Sequence, residues 1–340
     1  MNIQVKIAII AIIIVIPLSS IAVYGTNTNQ QFTINDDSKL QVISSFNPLH
    51  EFSQIVGQEK VDTILLVPVG VEPHDWEPTI KDVQQMHKSD LIIINGIGFE
   101  NWVDNLIENN YLGIIVDTSN GITTNQSKEQ HDEEQHDEEQ HDEEQHDEEQ
   151  HDEEQHDEEQ HDEEQHDEHK HLAGDPHIWL NPVYAKTQVQ NIANAFANSD
   201  LKNSKFYHTN AEEYNKKLDL LDMKIRNELS NCNSDFIVFH NAFSYFADEY
   251  GLNQYTIIPT NNSHGEVTAK TLEKIILTAK KLNIKVIFSE EDISSKSSEI
   301  IANELGGNVL ILSTLEITSD GTYISKMTEN LENLKVALCR

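Results

Sequence analysis

Three histidines stand where a chain can aim imidazoles at a common point. His74 lies in "PVGVEPHDWEP", directly after a strand-like apolar run. His177 lies in "GDPHIWLNP", a proline-bounded loop ahead of a helical pattern, and His240 closes "DFIVFH" and opens the next helical stretch. Strand ends and connecting loops are where a rigid scaffold presents binding residues. Pro73 and Pro176 each precede one of the three and stiffen the backbone that carries it. Neutral imidazole suits zinc, copper, nickel and iron. Three histidines with a water or one carboxylate is a common zinc arrangement. A single histidine is more often an ordinary surface or core residue, so the shared context of the three carries the argument.

A second store of histidine lies between them. The unit "HDEEQ" repeats in seven full copies from residue 131 to 165. With its trailing residues the tract supplies His131, His136, His141, His146, His151, His156, His161, His166, His169 and His171, nearly all beside acids. A period of five advances each histidine by about 140° on a helix, so no face is apolar or histidine-only. Like charges repel along it, and the composition predicts disorder without metal over 122–172. Each cluster is a weak metal site, because ordering a free chain costs about 1–2 kcal/mol per residue. Many weak sites together raise the local cation concentration, which suggests zinc capture or buffering. The alternative is a solvated, repeat-expanded loop with no selected role.

The tract also explains the charge. The chain of 340 residues has a formal net charge of −36, and 24 of its 59 acidic residues fall within 129–168. Outside it, 35 acids face 23 bases, an ordinary balance. Such a surface repels phosphates, so nucleic acid is excluded as a partner, and it attracts cations. At the N-terminus Lys6 precedes "IAIIAIIIVIPLSSIAVYG", which has the outline of an export signal or an anchor over 1–25. "SIA", ending at Ala22, is a candidate cleavage site, and no cysteine stands near it to take a lipid. The location expected is extracytoplasmic. There an isolated pair, Cys232 and Cys339, is a candidate disulfide closing a loop of roughly 107 residues. Two free thiols are the alternative.

The elements that must position these residues alternate. "LQVISSFNPL", "VDTILLVPVG", "DLIIING" and "LGIIVDTS" read as strands, separated by helical "HEFSQIVG", "TIKDVQQMHKS" and "ENWVDNLIENN". After the tract come a helix in "NPVYAKTQVQNIANAFANS" and a longer one from Asn203 to Ser230. In the longer helix Tyr207, Ala211, Tyr214, Leu218, Leu221, Ile225 and Leu229 form one apolar stripe. Alternation then resumes with strands "DFIVFH", "YTIIPT", "IKVIFSE" and "NVLILST", helices between them and a last helix in "KMTENLENLKVALCR". This pattern predicts α/β architecture: two (β/α) lobes with parallel sheets, joined by a long rigid helix, with a cleft between them. The expected segments are an N-terminal lobe over 38–203, a connecting helix over 204–230 and a C-terminal lobe over 231–340.

"SFNPLHEFSQIVG", "VPVGVEPHDWEPT", "NGIGFENWVDNL", "DPHIWLNP", "VFHNAFSYFADEYGL" and "VIFSEEDISSK" together resemble the zinc- and manganese-binding components of ABC importers, the ZnuA/TroA-like group. The match spans nearly the whole chain after the export signal. The resemblance implies a metal site between the lobes, with His74, His177 and His240 as ligands. Manganese-type members carry a carboxylate at the third position, so the histidine there favours Zn2+, with Mn2+ as the alternative. The resemblance points for the fourth ligand to the segment after "VIFSE", where Glu290 and a water are the two options. Glu72 and Asp75 flank His74 and are candidate partners holding its ring. His264 reads as a turn residue, and His50, His87 and His208 as surface or packing residues.

The expected function is binding without catalysis: a monomeric carrier captures Zn2+ and docks on a membrane permease with its ATPase. Affinity should fall as pH drops below about 6.5, because ligation needs neutral imidazole. The continuous helix predicts small lobe movements. One rival is an extracellular zinc buffer or adhesin with no transport partner. Another is a zinc-dependent hydrolase, although the chain has no HExxH and no recognisable nucleophile elbow.

Overall fold

The computed structural model describes residues 39–109, 111–123, 174–258, 267–291, 296–317 and 320–339. The N-terminal segment 1–25, the ten tract histidines and His264 lie outside the described residues. Strands β1 (Leu40–Ser44), β2 (Val61–Leu65), β3 (Leu91–Ile94) and β4 (Ile114–Asp117) form a parallel sheet in the order β2-β1-β3-β4. Strands β5 (Asp235–Val238), β6 (Asn253–Thr256), β7 (Val286–Ser289) and β8 (Asn308–Ile311) repeat it as β6-β5-β7-β8. Parallel neighbours need crossovers, supplied in the first sheet by α1 (Asn47–Gly57), α2 (Ile80–Met86) and α3 (Val103–Glu108). Their counterparts in the second sheet are α6 (Ser244–Tyr250), α7 (Ala269–Leu282) and α8 (Lys296–Leu305). The expected α/β architecture with two parallel sheets is what the chain adopts.

Side chains alternate across each strand, and the alternation sorts apolar residues into layers. Val42, Leu91 and Ile93 point from the first sheet into a large shared core, and Ile43, Ile92 and Ile94 point outward to Met86, Trp102 and Leu106. In the second sheet Phe236, Val238 and Phe288 enter that same core, while Ile237 and Ile287 meet Ile275, Ala279 and Ile301. One apolar core therefore runs continuously through both halves.

Three helices build its middle: α4 (Pro182–Ser199), α5 (Ser204–Leu229) and α9 (Tyr323–Leu338). Asn181 caps α4 by accepting from Val183 N at 2.9 Å, and Pro182 fills the first turn, where an amide donor is not needed. The 26-residue α5 is about 39 Å long at 1.5 Å per residue. All seven residues of its expected stripe are buried, and the structure adds Asn210, whose Nδ2 donates to Val56 O at 2.9 Å. Helix α9 begins at Tyr323, three residues before the expected start, because Thr322 and Ser325 form a reciprocal cap. Its far end is tied to the end of α5 by a Cys232–Cys339 disulfide. Among the described residues no helix is long and apolar enough to cross a membrane.

Two boundaries differ from the sequence reading for physical reasons. Strand β6 starts at Asn253, two residues before "YTIIPT", because an edge strand needs ladder hydrogen bonds rather than apolar side chains on both faces. Helix α6 starts at Ser244 rather than Asn241. The preceding residues turn tightly, with Ala242 N donating to His240 O at 2.9 Å, so His240 sits on a turn at the carboxyl edge of the sheet.

Candidate metal site

The His177 loop is built from its own sequence. Asp175 Oδ1 accepts from His177 N at 3.0 Å, which bends the chain, and Ile178–Leu180 then forms a buried 3-10 turn. Trp179 is fully buried, packs edge-on against Phe46 with centroids 4.6 Å apart, and donates Nε1 to Thr314 O at 2.8 Å. From behind, Asn95 Nδ2 holds Pro176 O at 2.8 Å, and Gln188 Nε2 holds Asn95 Oδ1 at 3.0 Å. Gly96, next to Asn95, has φ of +86°, and a Cβ there would fall 2.1 Å from Asp117 Oδ1. That turn therefore requires glycine.

His74 is carried on the loop after β2. Glu72 Oε1 accepts from His74 N at 3.3 Å, Asn101 Nδ2 donates to His74 O at 3.5 Å, and the Phe99 ring lies edge-on at 4.8 Å. Glu72 thus braces the main chain of the loop, and Asp75 is exposed beside it. His240 arrives from the other half, on the turn after β5. A fourth side chain joins them from the loop after β8, where Leu315 takes a positive φ of 64° and turns Glu316 inward. That loop is tied to the first half by Gly70 N donating to Ile317 O at 3.0 Å.

The four side chains converge. His177 Nε2 stands 3.2 Å from His74 Nε2 and 3.2 Å from His240 Nε2. Glu316 Oε1 lies 3.3 Å from His177 Nε2 and 3.6 Å from His74 Nε2. All four donor atoms fall within 4.8 Å of one another. A tetrahedral zinc with ligand bonds of about 2.0–2.1 Å has donor–donor edges of about 3.3 Å. Four edges of this cluster are close to that length. Glu316 Oε1 is buried facing the His177 and His74 ring nitrogens, an arrangement that is costly unless a proton or a cation answers it. An N3O set of this kind fits a divalent transition metal.

Comparison with known proteins identifies the family. A family model described as "Zinc-uptake complex component A periplasmic", ZnuA, matches residues 42–337. The chain belongs to the ZnuA family. It is 35% identical to the high-affinity zinc uptake system protein ZnuA of Bacillus subtilis over 328 residues, covering 94% of this chain and 93% of the relative. Among solved structures, the metal-dependent lipoprotein YcdH of Bacillus subtilis aligns with a TM-score of 0.70 at 32% identity, covering 89% of this chain and all of that one. A crystal structure of ZnuA aligns at 0.70 with 27% identity, covering 88% of this chain and 99% of that one.

Sequence reasoning offered Glu290 or a water for the fourth position; the structure brings Glu316 into the cluster and sets Glu290 behind His240. Glu290 stands behind the cluster, where its Oε1 accepts from His240 Nδ1 at 2.5 Å. It follows β7 by one residue, too close to the strand end to reach past the His240 ring, whereas Glu316 lies five residues beyond β8 and its loop folds back over the site. "STLEITSDG" carries no metal motif. Its one signal is topological: Glu316 follows the carboxyl end of a strand, as His74 and His240 do, where open α/β sheets bind ligands.

Electrostatics follow from burial. Burial opposes a charged His177 ring, but the Asp175 hydrogen bond and charge, then those of Glu316, outweigh it and raise its pKa to about 10. Burial would raise the Glu316 carboxyl, yet the His74 charge and the His177 and His74 hydrogen bonds hold it well below the usual range. In the metal-free cluster both shifts favour an ion pair between His177 and Glu316. The remaining described histidines stand apart: His50 contacts Gln54 at 3.0 Å, His208 contacts Gln190 at 3.4 Å, and His87 caps α2.

Proposed function

We propose that this protein is the extracytoplasmic zinc-binding component of an ABC-type uptake system. It takes Zn2+ with His74, His177, His240 and Glu316 and delivers it to a membrane permease driven by an ATPase. The observation that carries this reading is the three imidazole nitrogens and one carboxylate oxygen meeting at near-tetrahedral spacing between two rigid sheets. A zinc-uptake relative matched over 93% of its own length supports the transport role. Mn2+ is the alternative cargo, with the nitrogen-rich set favouring zinc.

Three neutral imidazoles and one carboxylate leave the bound dication with a net charge of +1, and Asp175 and Glu290 behind the rings offset it. His74 is the most exposed of the four, so the ion enters and leaves on its side. The N-terminal segment 1–25 serves export or anchoring, and the protein works as a monomer. The hydrolase reading needs an open metal position for water, and Glu316 fills it.

Elemental analysis and competitive zinc titration test the function. One tightly held zinc per chain is expected in the wild type and after deletion of 131–171, with much weaker binding in His240→Ala. A wild type without a tight zinc would refute the reading. Unchanged total zinc stoichiometry after the deletion would remove the capture role of the tract.

A further inference from the structure

Behind two of the donors one geometry occurs twice. Asp175 Oδ1 accepts from both the backbone N of His177, at 3.0 Å, and its Nδ1, at 2.7 Å. Glu290 Oε1 accepts from both the backbone N of His240, at 3.3 Å, and its Nδ1, at 2.5 Å. Asp175 is two residues from its histidine, so local chain geometry alone could bring them together. Glu290 arrives from 50 residues further along the chain, at the end of β7, and is buried with the ring it holds.

We infer that Glu290 is a positioning residue for zinc capture, acting through the His240 ring and not as a ligand. The inference rests on the zinc-binding reading above. An ionised carboxylate has no proton to give, so Nδ1 must be the donor. The Nε2 lone pair of His240 is then left facing His177 and Glu316. Without the anionic acceptor, the neutral ring loses the charge-assisted bond that holds its proton on Nδ1. The other tautomer places that proton on Nε2, where it blocks the metal. Ring orientation is lost with it, because the carboxylate grips main chain and ring of the same residue.

The next residue fixes Glu290 in turn. Glu291 Oε1 accepts from Lys326 Nζ at 2.9 Å, and its Oε2 accepts from Ser313 Oγ at 2.9 Å. Ser313 Oγ also accepts from Leu315 N at 3.2 Å, one residue before Glu316. The Glu290–Glu291 pair therefore locks the His240 ring on one side and the Glu316 loop on the other. Supporting carboxylates of this kind typically contribute 10- to 100-fold in metal affinity.

A double-mutant cycle tests the inference: competitive zinc titration of wild type, E290Q, H240A and E290Q/H240A, with the melting temperature of each metal-free protein. E290Q should weaken zinc binding about 10- to 100-fold. In the H240A background it should add no more than about twofold, because the group it acts through is gone. The metal-free melting temperature should stay close to that of wild type. Wild-type affinity in E290Q would overturn the inference. So would an equal loss in both backgrounds, since Glu290 would then act as a ligand or a general prop. If E290Q does not fold, E290D carries the same cycle, with a smaller loss that again vanishes in the H240A background. Absence of tight zinc in the wild type would instead refute the zinc-binding reading itself.

Discussion

The Nε2 atoms of His177 and His240 stand 3.2 Å apart across the junction of two sheets, although 63 residues separate them in the chain. Each ring is fully buried, and each is held from behind by a carboxylate at Nδ1. Two lone pairs so close in a buried site repel unless a proton or a cation lies between them.

That proximity gives the first prediction. Removing either buried ring should weaken zinc binding about 100-fold or more, beyond the effect expected for a supporting residue. His177→Ala and His240→Ala, measured by competition with a chromophoric chelator, should both show it. A loss of less than tenfold in both would exclude these rings as ligands.

Glu316→Gln should also weaken zinc strongly, since it replaces the anionic donor with a neutral amide. Cobalt substitution provides the check. The wild type should give the intense visible bands of a four-coordinate ion, and the variant should give weaker bands as water enters the opened position. Identical spectra and affinities would assign the fourth position to another group.

Zinc uptake should be coupled to proton release over a wider range than free imidazole predicts. His177 in the metal-free cluster holds its proton up to about 10, despite its burial, because of Asp175 and Glu316. Below that pH zinc must displace the proton, so affinity rises with pH by about tenfold per unit for each proton released. The dependence should therefore persist from pH 6 through pH 8 instead of levelling off above 6.5. Titration calorimetry in buffers of different ionisation enthalpy measures the proton count, and a count of zero at pH 7.5 would contradict this.

Glu100 makes stability pH-dependent on its own. Burial raises its carboxyl to about 7, against hydrogen bonds from Asn95 N, Ser45 Oγ and Gly96 N that favour the anion. Its folded pKa lies above the unfolded value, so the folded state binds the extra proton between about pH 4.5 and 7. The Glu100 contribution is full below that window and is lost as pH rises through it, by about 3 kcal/mol at most. Urea unfolding of wild type and Glu100→Gln at pH 5 and pH 7.5 should show the wild type losing more stability than the variant between the two.

The disulfide should matter for stability and not for the site. Cys232 and Cys339 are 107 residues apart, and closing such a loop is worth about 4–5 kcal/mol in the chain-entropy model. Cys339→Ser should lower the melting temperature by several degrees and leave zinc affinity within about twofold. The bridge lies at the amino ends of the strands, opposite the metal cluster. A large affinity change would mean that α9 transmits strain to the Glu316 loop.

By itself the sequence determined the alternation of strands and helices, the seven-residue stripe of α5 and the three histidine loops. Each of these is written locally: strand and helix periods in the apolar residues, and proline beside His74 and His177. It could not determine what stands opposite what. The Cys232–Cys339 pairing depended on α9 docking along α5. Glu290 and Glu316 are both acids just past strands of the second sheet, and nothing in their neighbours separates them. Only the folded chain does so, because loop length past the strand decides reach. One residue beyond β7 leaves a carboxylate behind the His240 ring, while five residues beyond β8, with a left-handed turn at Leu315, bring one round to the front.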